Sequence, residues 1–189
     1  MDIYFSSNDR VTSLSSASSG QINILNIFFG ISSCISDDSL ILIDEPEISL
    51  HAEWQMKFLP LLRDVFKSFK GCHYIISTHS PMIISNVGTD DSTIINMEDG
   101  VTYLSSDFMF KSADYINSHL FETPGPKNET MNREVVGLLS AISKGNKLSK
   151  DKIIKAELLI KLSKYLSDAD PIKELVDILG EALEVNSND

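Results

Sequence analysis

The sequence predicts an α/β protein, with a parallel sheet flanked by helices and an α-helical C-terminal region after it. Two short apolar runs, at residues 39–44 and 73–78, alternate with segments of helical spacing, and this alternation is typical of parallel sheets. After residue 104 the apolar spacing becomes helical throughout. We therefore expect an α/β domain over residues 1–110 and a helical region over residues 111–189.

The N-terminal half begins with a strand-like run at residues 3–5, and a serine-rich loop is predicted from there to residue 17. A helix is predicted from Ser19, because the apolar residues that follow form a broad surface. The runs at 39–44 and 73–78 are continuously apolar, which predicts strands buried on both faces. Between them a helix is expected over 52–69, kinked or divided at Pro60.

The next segment carries a hairpin pattern. Residues 93–97 and 101–104 have strand composition, and Glu98-Asp99-Gly100 lies between them as a turn. From Ala113 onward the spacing is helical, with a loop predicted at residues 123–126 and a final helix that begins at Pro171.

Composition excludes several classes of protein. The longest apolar run, residues 22–35, is short of the roughly 20 residues that span a bilayer, and no basic segment precedes it as in a signal peptide. Cys34 and Cys72 lack the spacing of metal ligands, and their apolar neighbours predict buried, reduced thiols. We therefore expect a cytoplasmic protein that makes no membrane contact.

The net charge of −11 argues against binding nucleic acid by overall electrostatics. Residues 144–164 nevertheless contain seven lysines and only two acids. This segment is either a solvated helix face or a local contact for a phosphate backbone or an acidic partner.

Three groups of residues carry chemistry. Asp44 and Glu45 end the first apolar strand, and α/β sheets bind ligands at the carboxyl ends of their strands. One acid there can hold Mg²⁺ and the next can polarise an attacking water. The alternative is a strand that ends in a polar turn. His79 follows the next strand, so it is expected at the same edge, where an imidazole can bond a phosphate oxygen or that water.

The third group opens the first predicted helix. Ser18, Ser19, Gly20 and Gln21 combine hydroxyl groups, a glycine and free backbone N–H groups at a helix N-terminus, which is a good anion site. The alternative is a simple serine N-cap.

In this order and spacing, these residues resemble the ABC-type ATPase superfamily, a subgroup of P-loop NTPases. Residues 17–21 (ASSGQ) look like the signature motif, Asp44 and Glu45 like the Walker B aspartate and catalytic glutamate, and His79 like the switch histidine. The strings IDEPEISLH and STHSP are most similar to bacterial ABC-like AAA ATPases, including the overcoming-lysogenization-defect, Septu and retron-associated defence types. The resemblance covers residues 13–84.

The resemblance implies ATP and Mg²⁺ as ligands and a dimer of heads that sandwiches the nucleotides. Asp44, Glu45 and His79 would serve the nucleotide of their own head, while Ser18 to Gln21 would contact the γ-phosphate held by the other. Ser49 and His51 stand where the family has its D-loop, and His51 replaces the aspartate of transporter-type members.

One departure is serious, because the motif G-x-x-x-x-G-K-[ST] occurs nowhere in the sequence. We therefore expect the chain to be a fragment or truncated relative that hydrolyses ATP negligibly by itself. Its expected partners are a second copy or another ATPase head, with nucleic acid as a further possibility. Any nuclease is expected to be a separate partner, since Asp168-Ala169-Asp170 lies between helical segments. The alternative is a non-catalytic regulatory fragment that docks onto a complete ATPase or a nuclease.

Overall fold

The structure, a computed structural model, is α/β and divides into two compact units. The first unit comprises Met1–Ile94 and Thr102–Phe110, and the second comprises Ile95–Val101 and Lys111–Asp189. The residues that the structure describes are 4–7, 10–13, 16–88, 91–145 and 147–187.

The first unit contains an antiparallel hairpin, a parallel strand pair and helices. Its elements in chain order are β1 (Tyr4–Ser7), β2 (Arg10–Ser13), α1 (Ser19–Cys34), β3 (Leu40–Asp44), α2 (Ala52–Phe66), β4 (His73–Ser77) and α3 (Pro81–Ile84). The predicted strand near residue 4 is present, although Ile3 lies outside the described residues. The predicted serine-rich loop is partly wrong, because residues 10–13 form β2 and pair with β1.

A short antiparallel pair follows, formed by β5 (Thr93–Ile95) and β6 (Thr102–Leu104). This is the predicted hairpin, and the amide of Asn96 continues it by donating to the carbonyl of Val101. A one-turn helix that the sequence did not predict, α4 (Ser105–Phe108), comes directly after it.

The parallel pair β3–β4 places the carboxyl ends of both strands together. Leu40 lies opposite His73, and the register continues to Asp44 opposite Ser77. One face of this pair packs into the core of the first unit through Ile43 and its neighbours. That core is composed of Ile24, Ile43, Leu50, Phe58, Leu59, Leu62, Phe66 and Ile83.

The other face of the parallel pair is open. Leu40, Leu42 and Ile75 are 62%, 69% and 60% exposed. The prediction that both strands are buried on both faces is therefore wrong for the described residues. Helices α1, α2 and α3 contribute the core residues that cover one face of the strand pair. The apolar side chains on the second face are exposed to solvent.

Helix α2 supplies most of the aromatic and leucine packing of this core. It runs without interruption from Ala52 to Phe66 with Pro60 inside it, so Pro60 does not divide it. Phe28 of α1 stacks on Phe66 with ring centroids 5.7 Å apart and meets Phe58 edge-on at 6.1 Å. These contacts fix α1 against α2.

The second unit is helical, as predicted for this part of the chain. Its elements are α5 (Ala113–His119), α6 (Glu129–Ser143), α7 (Lys150–Leu162), a 3₁₀ turn (Ser163–Tyr165) and α8 (Pro171–Ser187). Pro171 begins the last helix as expected. The core of this unit is formed by Met131, Val135, Leu138, Ala156, Leu159, Leu162, Leu166, Ile172, Val176 and Leu179.

The structure bears on two expectations that were drawn from composition. Over the described part of the chain, none of the helices combines the length and apolar character that a membrane span requires. Both cysteines are free, in agreement with the predicted reduced thiols, but the prediction that they are buried is wrong, because Cys34 is exposed and Cys72 is only partly covered. Cys34 is the last residue of α1, where its thiol donates to the carbonyl of Gly30 and reaches the surface.

Candidate functional site

The carboxyl ends of β3 and β4 hold the predicted Asp44 in direct contact with Ser77, a residue that was not predicted. Because Asp44 and Ser77 are register partners, the Ser77 hydroxyl donates to Asp44 Oδ1 across the strand pair. The backbone amide of Glu45 then donates to the carbonyl of Ser77 at 3.0 Å, which extends the pairing by one hydrogen bond beyond the end of β3. Asp44 is thus held at the strand end with its side chain exposed to solvent.

Glu45 and His79 come together at the same edge, as the sequence predicts. The distance between Glu45 Oε1 and His79 Nε2 is 3.6 Å. The His79 side chain is 86% exposed and the Glu45 side chain is 43% exposed, so both are accessible to a ligand. This separation is too long for a direct hydrogen bond, but one water molecule can bond both the carboxylate and the imidazole.

The turn that follows β3 is unusual in its backbone. Glu45 and Ser49 have φ values of 41° and 64°, a left-handed region that residues with a Cβ rarely adopt. Within the turn, the amide of Ile48 donates to the carbonyl of Glu45, and Asn23 of α1 donates its side-chain amide to the carbonyl of Ile48 at 2.9 Å. Strained backbone of this kind is concentrated at functional sites.

Glu47 lies in the same turn, and it was not predicted from the sequence. Its Oε1 accepts the backbone amide of His79 at 2.6 Å. Its Oε2 is buried and has no hydrogen-bond partner among the described residues. Ser77 was missed as well. The available sequence signal was weak, since a third acid in Asp44-Glu45-Pro46-Glu47 and a hydroxyl before His79 are each common at strand ends.

The predicted anion site has the local geometry of a well-capped helix. The Ser18 hydroxyl accepts the amide of Gln21 at 3.3 Å, and the Gln21 side chain accepts the amide of Ser18 at 2.9 Å. This reciprocal pair is a capping box, so the simple N-cap interpretation holds for Ser18 and Gln21. The two side chains satisfy one backbone donor each at the N-terminus of α1.

A surface pocket of about 480 Å³ lies at this helix N-terminus. It brings together the predicted signature residues and the predicted D-loop residues, with Trp54 as an aromatic wall. The residues that line it are Ser18, Ser19, Gly20, Gln21, Ser49, Leu50, His51 and Trp54. His51 precedes α2 as its N-cap residue, and no hydrogen bond from its side chain caps the helix.

The acids at the edge of the sheet fit a magnesium ion only if substrate oxygens complete its shell. No group of three or more histidine, cysteine, aspartate or glutamate side chains is arranged for metal binding within the described residues. Magnesium in nucleotide sites is commonly held by one or two carboxylates, water and substrate phosphates. The exposed carboxylate of Asp44, with the Ser77 hydroxyl beside it, is suited to that role.

The lysine-rich segment of the second unit is partly engaged in its own fold. Lys155 lies 2.7 Å from Glu134, and Lys161 lies 2.5 Å from Glu122. Lys164 is placed over the ring of Tyr165 at 4.7 Å. These contacts favour the interpretation of a solvated helix face for part of the segment.

Comparison with known proteins points to the same region of the chain. Residues 2–85 match a family described as "AAA domain, putative AbiEii toxin, Type IV TA system". The match includes the capped start of α1, the pair β3–β4 and the turns that carry Asp44, Glu45 and His79.

Two curated relatives share a short stretch of sequence with this chain. "Retron Vc95 probable ATPase" of Vibrio cholerae serotype O1 biovar El Tor is 35% identical over 57 residues, which is 30% of this chain and 10% of that protein. "Retron Ec83 probable ATPase" of Escherichia coli is 35% identical over 52 residues, 28% of this chain and 9% of that protein. The chain spans about a tenth of the length of the curated relatives it matches. Together, the family match and these relatives support an AAA-type ATPase domain in the first unit.

Proposed function

We propose that this chain supplies the hydrolytic half of an ABC-type P-loop ATPase head, which binds and hydrolyses ATP as part of a nucleotide-gated dimer. The observation that carries the proposal is the meeting of Asp44, Glu45 and His79 at the carboxyl ends of two parallel strands. The resemblance to retron ATPases favours a task in antiphage defence, with DNA metabolism as the other setting. A cytoplasmic location belongs to the same proposal.

Each residue has a role that its geometry allows. Asp44 would hold Mg²⁺, which neutralises phosphate charge when it is bound with the nucleotide. Glu45 would accept a hydrogen bond from the attacking water and align it with the γ-phosphorus, because its carboxylate is accessible and lies beside His79. The exposed His79 ring would donate to a γ-phosphate oxygen or to the same water.

The pocket at the start of α1 would serve a nucleotide held by the other head. Backbone N–H groups and the dipole at a helix N-terminus favour an anion, and Ser19 adds a hydroxyl at this position. Ser49 and His51 line the same pocket and follow the turn that carries Glu45 in the sequence. This continuity would link the two nucleotide sites of a dimer.

Two observations favour a head that needs a further segment. The sequence contains no phosphate-gripping G-x-x-x-x-G-K-[ST] loop. The pair β3–β4 leaves one apolar face exposed, whereas parallel sheets are ordinarily covered on both faces. A P-loop-bearing segment, in the same polypeptide or in a partner head, would cover this face. A separate nuclease and nucleic acid are proposed as further partners.

The test is the Glu45→Gln variant in an ATPase that joins this chain to a P-loop-bearing half. Turnover should fall by about 10²–10⁴-fold, since an amide cannot accept the proton that a carboxylate accepts, and ATP binding should persist. Glu53→Gln is a matched control, because Glu53 is an exposed acid on α2 that pairs with Lys57. Steady-state hydrolysis and a nucleotide-binding titration measure both properties.

Normal turnover by Glu45→Gln would contradict the assignment. Micromolar affinity of the isolated chain for ATP would contradict the proposal that the chain needs a further segment to bind the nucleotide. If the wild-type chain associates with a P-loop-bearing half but the assembly never hydrolyses ATP, the alternative function is correct. The chain is then a non-catalytic regulatory module for an ATPase or a nuclease partner.

A further inference from the structure

The turns that follow β3 and β4 must hold the side chains of Glu45 and His79 at a fixed separation for the proposed chemistry. Ladder hydrogen bonding between the strands ends with the amide of Glu45 donating to Ser77. His79 lies two residues beyond that point, and its ring is 86% exposed. Packing therefore cannot hold the ring, so its position depends on how its backbone is held.

Glu47 makes that connection. Its Oε1 accepts the amide of His79 at 2.6 Å, a charge-assisted hydrogen bond that joins the first turn to the second. One residue later, the Ser80 hydroxyl donates to Gln55 Oε1 at 2.7 Å and caps α3 by accepting the amide of Ile83. The backbone on the C-terminal side of His79 is thus fixed to α2, and the amide of His79 itself is fixed by Glu47.

The burial of one oxygen of Glu47, Oε2, argues against a role in stability alone. Its Oε2 is buried without a hydrogen-bond partner among the described residues, and an unpaired buried carboxylate oxygen costs free energy. A buried polar group without a partner in a native structure calls for an explanation, and a functional role is one of the recognised explanations. The turn also places Glu45 and Ser49 in left-handed conformations, so the local backbone is strained around the same carboxylate.

We propose that Glu47 is a positioning residue that couples the Glu45 turn to the His79 turn and thereby sets the distance between Glu45 and His79. This inference rests on the proposed ATPase function for its catalytic consequence, but the coupling itself can be measured in this chain alone. Glu47 would act through His79 and would not contact the nucleotide.

The first experiment is amide hydrogen exchange by NMR on the chain as it stands. In Glu47→Ala, the amide of His79 should exchange at least about tenfold faster, because a hydrogen bond to a charged acceptor is lost. Glu47→Gln keeps an acceptor oxygen and should restore most of the protection. The amides of Ile75 and Ile76 in β4 should be unchanged, and Glu53→Ala is the matched acidic control on α2.

Unchanged exchange at His79 in Glu47→Ala would overturn the proposal. So would equal acceleration at Ile75 and Ile76, which would indicate a general loss of structure. If Glu47→Ala does not fold, Glu47→Asp provides the test, since it keeps the charge but withdraws the carboxylate. Glu47→Asp should then accelerate exchange at His79 while Glu47→Gln does not, and the reverse order would overturn the proposal.

The second experiment uses the ATPase joined to its P-loop-bearing half. Glu47→Ala should lower kcat by about tenfold or more with KM for ATP unchanged, and Glu47→Gln should recover most of the rate. A change in KM alone, or no rescue by Glu47→Gln, would overturn the positioning role. If the wild-type assembly or Glu45→Gln shows that the ATPase proposal itself is wrong, hydrogen exchange at His79 still decides whether Glu47 couples the two turns.

Discussion

At the scale of single residues, Gly20 shows how closely the start of α1 approaches the turn after β3. A Cβ placed on Gly20 would lie 2.4 Å from the carbonyl oxygen of Ser49, closer than real Cβ contacts allow. The contact is with backbone, which cannot rotate away as a side chain can. A Cβ on Gly30, in the same helix, would have no neighbouring atom within 4 Å. Only a glycine therefore suits position 20, whereas position 30 would accept a side chain.

We expect Gly20→Ala to lower the free energy of unfolding by about 1–3 kcal/mol, because the first turn of α1 must move away from Ser49. The matched variant Gly30→Ala should raise it by about 0.5–1 kcal/mol, since alanine favours the helix and meets nothing. Urea unfolding of the two variants measures both effects. Equal changes of the same sign would show that helix propensity, rather than the approach to Ser49, decides the outcome.

The sequence predicted the residues whose chemistry is intrinsic and missed those whose importance depends on a neighbour. Asp44, Glu45 and His79 could be selected because each is an ionisable group at the end of an apolar strand, and the structure brings Glu45 to His79. Glu47 could not be selected, because its significance depends on its carboxylate turning back to the amide of His79. The spacing of residues along the sequence does not reveal the direction in which the Glu47 side chain points.

At the scale of elements, the strength of the local pattern decided which predictions are correct. The hairpin around residues 98–100 and the helix from Ser19 have strong turn and capping signals, and both are present. Strand β2 was missed because its four residues are mostly polar or short. The expectation of strands buried on both faces failed for a different reason: composition reports what a strand can bury, while burial requires a covering element.

Three helices of the second unit meet at one carboxylate. Glu134 of α6 has Lys155 of α7 at 2.7 Å and His119 Nε2 of α5 at 3.3 Å, although the latter contact lacks the alignment of a hydrogen bond. Burial raises the pKa of Glu134, and the contacts with His119 and Lys155 outweigh this and hold the pKa below its usual value of 4.5. A lowered pKa in the folded state means that the ionised form stabilises the fold.

The stabilisation by Glu134 should therefore be complete above about pH 4.5 and should be lost as the pH falls through the lowered folded-state pKa. We expect Glu134→Gln to cost about 1–3 kcal/mol at pH 7, because it leaves the partners of the carboxylate unpaired. The difference from wild type should shrink toward pH 3. Urea unfolding from pH 7 to pH 3 measures it, with exposed Glu157→Gln of α7 as control. A difference that is independent of pH would contradict the role of charge.

At the scale of the whole molecule, the residues that the structure describes form two hydrophobic clusters that have no residue in common. The cluster of the first unit includes Phe58, and the cluster of the second includes Leu159. The proposed catalytic residues are all in the first unit, as is the whole of the family match over residues 2–85. Because each unit has its own core, the first can be perturbed while the second keeps its packing.

We expect core truncations to act on one unit at a time. Phe58 and Leu159 are 0% and 1% exposed, and replacement by alanine should cost about 3–5 and 2–5 kcal/mol respectively in the unit that contains each. Native-state hydrogen exchange should then show lower protection in β4 and α2 for Phe58→Ala, and in α6 and α8 for Leu159→Ala. Equal loss of protection in all four elements for either variant would mean that the chain unfolds as one cooperative body. Selective loss would instead show that the two units unfold independently of each other.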